Sequence, residues 1–411
     1  MERMHTSALI PSPFSPDELE SYANALLWGL SIARKKPFKK SDLVQVRYDL
    51  PALPLAEVLV ERLHQDGLIP VPQARETAKM EFDAFTLANN KRLTTLVPGE
   101  RELSEATAGS ITLIAPESLT HLGKVDPANI AMAMAARKPL QSILSVREAA
   151  GDYGWTLGYF PTQALAQQAG ISLEEYAREI ARACLISRHE PVREWRRFET
   201  SIREIQTWLN SLPLAALRIQ SARMDMLIPV GESRRWIALT GRNIPSFECY
   251  FSPDWRGVEG HFAATLPTYR NGVRVDGLEL EFRYGQVTAV HAEAGLDFAL
   301  EQLKMDAGAS RVGEFALVDK RFSPIARFMA NTLYDENFGG EHGSCHIALG
   351  QSYANSYTGL PEAFTQPVRE RLGFNASALH WDLVNTEPKT VSATLKGGGK
   401  ITLYENGQFV M

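Results

Sequence analysis

Residues 42–72 read DLVQVRYDLPALPLAEVLVERLHQDGLIPVP. The opening DLVQVRYDL alternates apolar and polar side chains, the period-two pattern of a half-buried strand. LPLAEVLVERLHQDG then carries its apolar residues at helical spacing and closes on Gly67, a residue suited to end a helix. LIPVP reads as the next strand. Strand, helix, strand is the unit of a largely parallel sheet, so the spacing predicts an α/β domain. Upstream, Ser15-Pro16-Asp17-Glu18 marks a helix start: a capping hydroxyl, proline in the first turn, then acids near the positive helix end. That helix runs through LESYANALLWGLSIARKK and stops before Pro37. Downstream, SITLIAPES (110–118) fits a buried strand, and 171–212 reads as a long charged helical stretch broken by Pro191.

The texture then changes. Strand-like pieces crowd together: RMDMLIPV (223–230), RRWIALTG (234–241) and LELEFRYGQVTAVHAEA (278–294), the last with a turn at Tyr284-Gly285-Gln286. LDFALEQLKMDAGASRVGE (296–314) reads as a helix leading to a glycine, and Asn406-Gly407 signals a hairpin at the C-terminus. The expected organisation is an α/β N-terminal domain over 1–210 and a β-rich α+β domain over 211–411.

Composition narrows the function. A chain of 411 residues suits two domains. Forty-three basic against 48 acidic residues give a net charge of −5, which argues against nucleic acid as a partner. Cys184, Cys249 and Cys345 are widely spaced and form neither a disulfide framework nor a CxxC zinc site, which suits a reducing, cytoplasmic setting. No secretory leader and no apolar run of the roughly 20 residues that a membrane helix needs are evident. Gly397–Gly399 is a turn without the Lys-Ser/Thr of a phosphate loop. Trp195, Arg196 and Arg197 read as a solvated helix face.

Acids and imidazoles gather in the second half. Glu248 lies in GRNIPSFECYFSPD (241–254), and Glu314 follows Gly313 where helix gives way to strand. Glu336 and His346 flank a glycine loop in DENFGGEHGSCHIALG (335–350). His380 and Asp382 in ALHWDLV (378–384) share one face of a strand, with Trp381 opposite. Taken singly, each is an ordinary core or surface residue. Together they sit beside apolar strand residues, where unpaired carboxylates are costly to bury. A divalent cation removes that cost, and two cations can share a bridging carboxylate at ~3.5–4 Å. Glycines between Glu336 and His346 allow the tight turn, His342 is a loop residue, and Cys345 faces away from His346 as a packed thiol.

Four stretches, GRNIPSFE (241–248), RVGEFALV (311–318), NTLYDENFGGEHGSCHIALGQSY (331–353) and LHWDLV (379–384), resemble the aminopeptidase T and aminopeptidase S family of dinuclear metallopeptidases. The resemblance implies metal ligands at Glu248, Glu314, Glu336, His346, His380 and Asp382, and places the family's metal-proximal tyrosine at Tyr353. It implies an α/β domain followed by a β-rich metal-binding domain, a homodimer, and two divalent ions among zinc, cobalt, manganese and magnesium. Many relatives carry two consecutive acids where this chain has Phe247-Glu248. The implied reaction is release of N-terminal amino acids from peptides. Tyr353 would donate to the oxyanion, and Glu314 or Glu336 would relay the proton. Two rivals remain open at this point. His346, His380 and Asp382 alone would suit the single iron of a ring-cleaving dioxygenase, and the scaffold would also serve a non-catalytic binding protein.

Overall fold

The computed structural model describes residues 10–188, 190–270 and 272–411. They form two compact units: 1–195 with 240–245, and 196–239 with 246–411. The division drawn from sequence texture, 210/211, falls at the far end of the helix Pro191–Ser211, and the contact division near its start.

The first unit is the α/β one. Four parallel strands, β1 (Leu43–Tyr48), β2 (Ile69–Ala74), β3 (Thr107–Ile114) and β4 (Gly154–Tyr159), run in the order β2-β1-β3-β4. Helix α1 (Pro16–Ala33) starts with a capping box: Glu18 N–H donates to Ser15 Oγ, and Ser15 N–H to the Glu18 carboxylate. Its buried Tyr22, Leu26 and Leu30 belong to the core under the sheet. Gly158 permits the close approach, since a Cβ there would stand 2.6 Å from the Tyr22 hydroxyl. Helix α2 (Leu53–Gln65) completes the β1-α2-β2 unit, and Gly67 beyond it has φ +77°. The helical stretch after 171 comprises Leu173–Ala183 and Pro191–Ser211. Pro191 therefore opens a helix, where its missing N–H costs nothing. Trp195 corrects the expectation of a solvated face. It is fully buried, stacks on Trp28 at 5.6 Å, and donates its indole N–H to the Cys184 carbonyl.

The second unit is β-rich. Its strands are β5 (Leu214–Ser221), β6 (Met224–Pro229), β7 (Ile237–Ala238), β8 (Glu248–Phe251), β9 (Glu259–Ala263), β10 (Thr268–Arg270), β11 (Val273–Val275), β12 (Glu279–Arg283), β13 (Gln286–His291), β14 (Val312–Val318), β15 (Ser344–Gly350), β16 (His380–Asn385), β17 (Thr390–Leu395), β18 (Lys400–Glu405) and β19 (Gln408–Phe409). An eight-stranded sheet runs β13-β12-β9-β6-β5-β17-β18-β19, and a five-stranded antiparallel sheet runs β16-β15-β14-β8-β7. The hairpin turns fall at Tyr284-Gly285 and Asn406-Gly407, all four at positive φ, as a two-residue type I′ turn requires. RRWIALTG, expected as a strand, forms a ladder at Ile237–Ala238 and a single bridge from Arg234 to Tyr357, and its Thr240–Gly241 passes to the other unit.

The five-stranded sheet decides what the site can be. Its register pairs Ala316 with Tyr250 and His346, Ala348 with Glu314 and Asp382, Gly350 with His380, and Val318 with Glu248. Directly paired residues share a face. Glu248, Glu314, His346, His380 and Asp382 therefore project from one face, on four neighbouring strands. The other face is Cys249, Phe251, Phe315, Leu317, Cys345, Ile347, Leu349, Trp381 and Leu383, all buried. Burying that apolar face fixes the register, because a one-residue slip would turn the charges into the core.

Candidate metal centre

His346 Nε2 lies 3.3 Å from Glu314 Oε1 and 3.4 Å from Glu248 Oε2. His380 Nε2 lies 3.4 Å from Asp382 Oδ1 and 3.9 Å from the second oxygen of Glu314. Glu314 thus turns one carboxylate oxygen to each imidazole. Ligand atoms of Glu248, Glu314 and His346 all stand within 4.8 Å of one another. Small Ala316 and Ala348 on the same face leave the space above them to these side chains. Glu336 arrives from elsewhere, at the end of the short helix Thr332–Asp335, and is buried. The charges of Glu248, Asp382 and Glu314 bear on it directly.

The loop back to His346 is held in place. Gly343 has φ +60°, and a Cβ there would collide with the Tyr404 hydroxyl. Tyr404 Oη donates to the Val318 carbonyl at 2.7 Å, and buried Lys389 donates to the Gly343 carbonyl. His380 is oriented from behind: its Nδ1 donates to the Gln351 carbonyl at 3.1 Å, which leaves Nε2 facing the carboxylates. Arg270 supports the same strand, with Nη1 on the His380 carbonyl and Nε on Gln302 Oε1. Tyr353 Oη is 3.2 Å from His380 Nε2, and the two rings lie 4.8 Å apart, tilted by 56°.

Electrostatics shows what the group lacks. Burial, reinforced by Glu314 and Asp382 against the opposing His346, pushes Glu248 up to about 8. Burial and the neighbouring carboxylates hold Glu336 well above the usual carboxylate range. Burial by itself would depress the two imidazoles, yet His346 rises to about 9 through its Glu314 hydrogen bond and Glu248, and His380 to about 9 through Asp382 and Glu314. Burial would raise Asp382 too, but His380 draws it below the ordinary value. Burial raises the two glutamates, and the carboxylates facing them raise the imidazoles; both shifts draw protons to a buried group with more acids than imidazoles. Glu248 Oε2, Glu314 Oε2 and His346 Nδ1 are buried without a hydrogen bond. Four carboxylates and two imidazoles with such orphaned atoms fit divalent cations, whose ligands they would become.

The sheet brings Glu248, Glu314, His346, His380 and Asp382 together with Tyr353 beside His380, and Glu336 interacts with them through its charge. His342 stays in the loop, next to Glu341. Sequence reasoning missed Arg270, Gln351 and Asn337. Only Asn337 carried a hint, as the neighbour of Glu336.

Comparison with known proteins now bears on this arrangement. A family model described as thermophilic metalloprotease (M29) matches residues 15–409. The chain belongs to this family. Among M29-like relatives, aminopeptidase T of Thermus aquaticus is 29% identical over 271 residues, 63% of this chain and 63% of the relative. Aminopeptidase 2 of Geobacillus stearothermophilus is 29% identical over 330 residues, 75% and 77% of the respective chains. The chain thus aligns with just under two thirds of the length of aminopeptidase T. Wild-type AmpT from Thermus thermophilus superposes with a TM-score of 0.78 at 23% identity, over 96% of this chain and 99% of that one, a likeness of fold. It agrees with the α/β plus β-rich architecture. An M29 metalloprotease is what the buried carboxylate–imidazole group suits chemically. These relatives lend no support to the ring-cleaving oxygenase or to a non-catalytic binder.

Proposed function

We propose that this M29 chain is a metal-dependent aminopeptidase that releases N-terminal amino acids from peptides. The observation that carries the reading is Glu314, one buried carboxylate turned towards two imidazoles, each with a further carboxylate beside it. Glu248, His346 and Glu314 would hold one divalent ion, and Glu314, His380 and Asp382 a second, with Glu336 completing the set. Zinc, cobalt, manganese and magnesium all suit mixed carboxylate and imidazole ligands. Bound there, such ions supply Lewis-acid polarisation of a carbonyl and a lowered pKa for water.

The chain's own groups do the rest. Tyr353 is 39% exposed, so its ring borders open space while its hydroxyl reaches His380. Burial of that hydroxyl and the charges of Glu314 and Asp382 hold its pKa well above 10. It therefore keeps its proton at neutral pH and can donate to a developing oxyanion. Glu314 or Glu336 would relay the proton to the leaving amine. A carboxylate of the group would partner the substrate's α-ammonium, which favours trimming from the N-terminus.

The same proposal includes a catalytic domain over 211–411 beside an α/β domain over 1–210, a homodimer, and a cytoplasmic location. Among the described residues no helix is long and apolar enough to cross a membrane. The test is release of free amino acid from a dipeptide panel, with and without chelator, alongside metal analysis. Chelator-sensitive release with two ions per chain supports the reading. No turnover with any of the four metals overturns it, and one iron per chain would favour the oxygenase.

A further inference from the structure

Asn337 follows Glu336 and is wholly buried. Each of its polar groups is engaged. Its N–H donates to the Tyr334 carbonyl at 3.2 Å, and its carbonyl accepts from Ser323 Oγ at 2.5 Å. Its side-chain Oδ1 accepts the Phe247 N–H at 2.5 Å. Its Nδ2 donates to the Leu333 carbonyl at 2.9 Å and stands 3.5 Å from Glu336 Oε1. An N–H on one side and oxygens on the other leave a single orientation for the amide.

Phe247 is the residue before Glu248. One amide therefore ties the backbone beside Glu248, on the five-stranded sheet, to the carboxylate and the short helix of Glu336, 90 positions away in sequence. Both ends are anchored independently. Phe247 is buried and packs edge-on against Phe198 at 5.2 Å, and Gly339 and Gly340 N–H groups both donate to the Ile325 carbonyl. Glu336 alone of the six acidic and imidazole residues stands outside the sheet, so the strand register does not set its distance from the others.

We propose that Asn337 is a positioning residue for metal binding: its amide sets the spacing of Glu336 from Glu248. This rests on the metallopeptidase reading above, and the Asn337 brace deepens it. Groups that orient a metal's ligands from behind typically alter affinity by about 10–100-fold when removed.

The test strips the full-length protein with chelator and titrates zinc by calorimetry, with folding checked by circular dichroism. Asn337→Ala should weaken the weaker of the two zinc sites about 10–100-fold. Asn337→Asp keeps an oxygen for the Phe247 N–H but sets an anion against the Leu333 carbonyl and Glu336, so it should weaken zinc binding as well. If Asn337→Ala does not fold, Asn337→Ser, too short to reach Phe247, takes its place with the same expectation. Unchanged zinc affinity in the truncated variant overturns the proposal. A purely structural role would lower the melting temperature of stripped protein and leave zinc affinity alone. Wild-type protein that binds none of zinc, cobalt, manganese and magnesium would instead overturn the metallopeptidase reading, so the two failures are distinct.

Discussion

The two large sheets of the second unit both carry carboxylates near cationic or imidazole groups, and they handle them in opposite ways. On the eight-stranded sheet, Arg218 grips Asp225 through two hydrogen bonds at 2.8 and 2.7 Å, and Arg223 meets Glu279 at 2.7 Å. The groove there is also lined by Glu259, His261, Glu281 and Arg283. Its charges are paired and open to water, and the hydrogen bond from Arg218 lowers the Asp225 pKa. On the five-stranded sheet the carboxylates face one another under burial, and Glu248, with Glu336 reaching it from outside the sheet, moves the other way. The comparison teaches that an imidazole among acids is not the signal of a metal centre. The signal is buried negative charge in excess of the cationic groups around it.

The sharpest way to break that contrast is Glu314→Gln. It removes the charge both imidazoles face. Losing several kcal/mol of charge stabilisation corresponds to a fall in dipeptide hydrolysis of about 10³-fold, with reduced metal content by elemental analysis. Near-normal activity would mean that Glu314 is merely a buried acid. Tyr353→Phe removes a single donor and should cost about 10²-fold in kcat with metal content unchanged; equal rates would remove the hydroxyl from the mechanism.

A thermal measurement sharpens the electrostatic half. In metal-stripped protein, Glu248 is raised from 4.5 to about 8, and His346 and His380 from 6.5 to about 9. The folded state binds these protons more tightly than the unfolded one, so the stabilisation is full at low pH and lost as pH rises through the raised values. Asp382, shifted downward, acts only below its ordinary 3.8. The stripped protein's melting temperature should therefore fall from about pH 5 to pH 9, and bound metal should flatten the slope. A rise over that range would break the surplus-charge account. The smallest effect belongs to the other sheet: Arg218→Ala should leave activity and metal content unchanged and barely move the melting temperature, as for exposed ion pairs in general.

What the sequence determined by itself was local. Ser15 and Glu18 specify a capping box because the partners lie three residues apart. Tyr284-Gly285 and Asn406-Gly407 specify hairpins because few residues accept their backbone angles, and the period of two puts His380 and Asp382 on one face. These readings need only nearest neighbours along the chain. RRWIALTG is a shorter strand than its alternation suggests, because alternation does not reveal that Thr240–Gly241 departs to the other unit. Trp195 failed as a surface residue because its partner, Trp28, lies far back in the sequence. Motif order gave the six acids and imidazoles, but their meeting depends on pairings such as Ala348 with both Glu314 and Asp382, set by which faces are buried. The distance of Glu336 from Glu248 depends on an amide hydrogen bond across 90 positions. Such contacts exist only once the chain has folded, so only the tertiary structure could decide them.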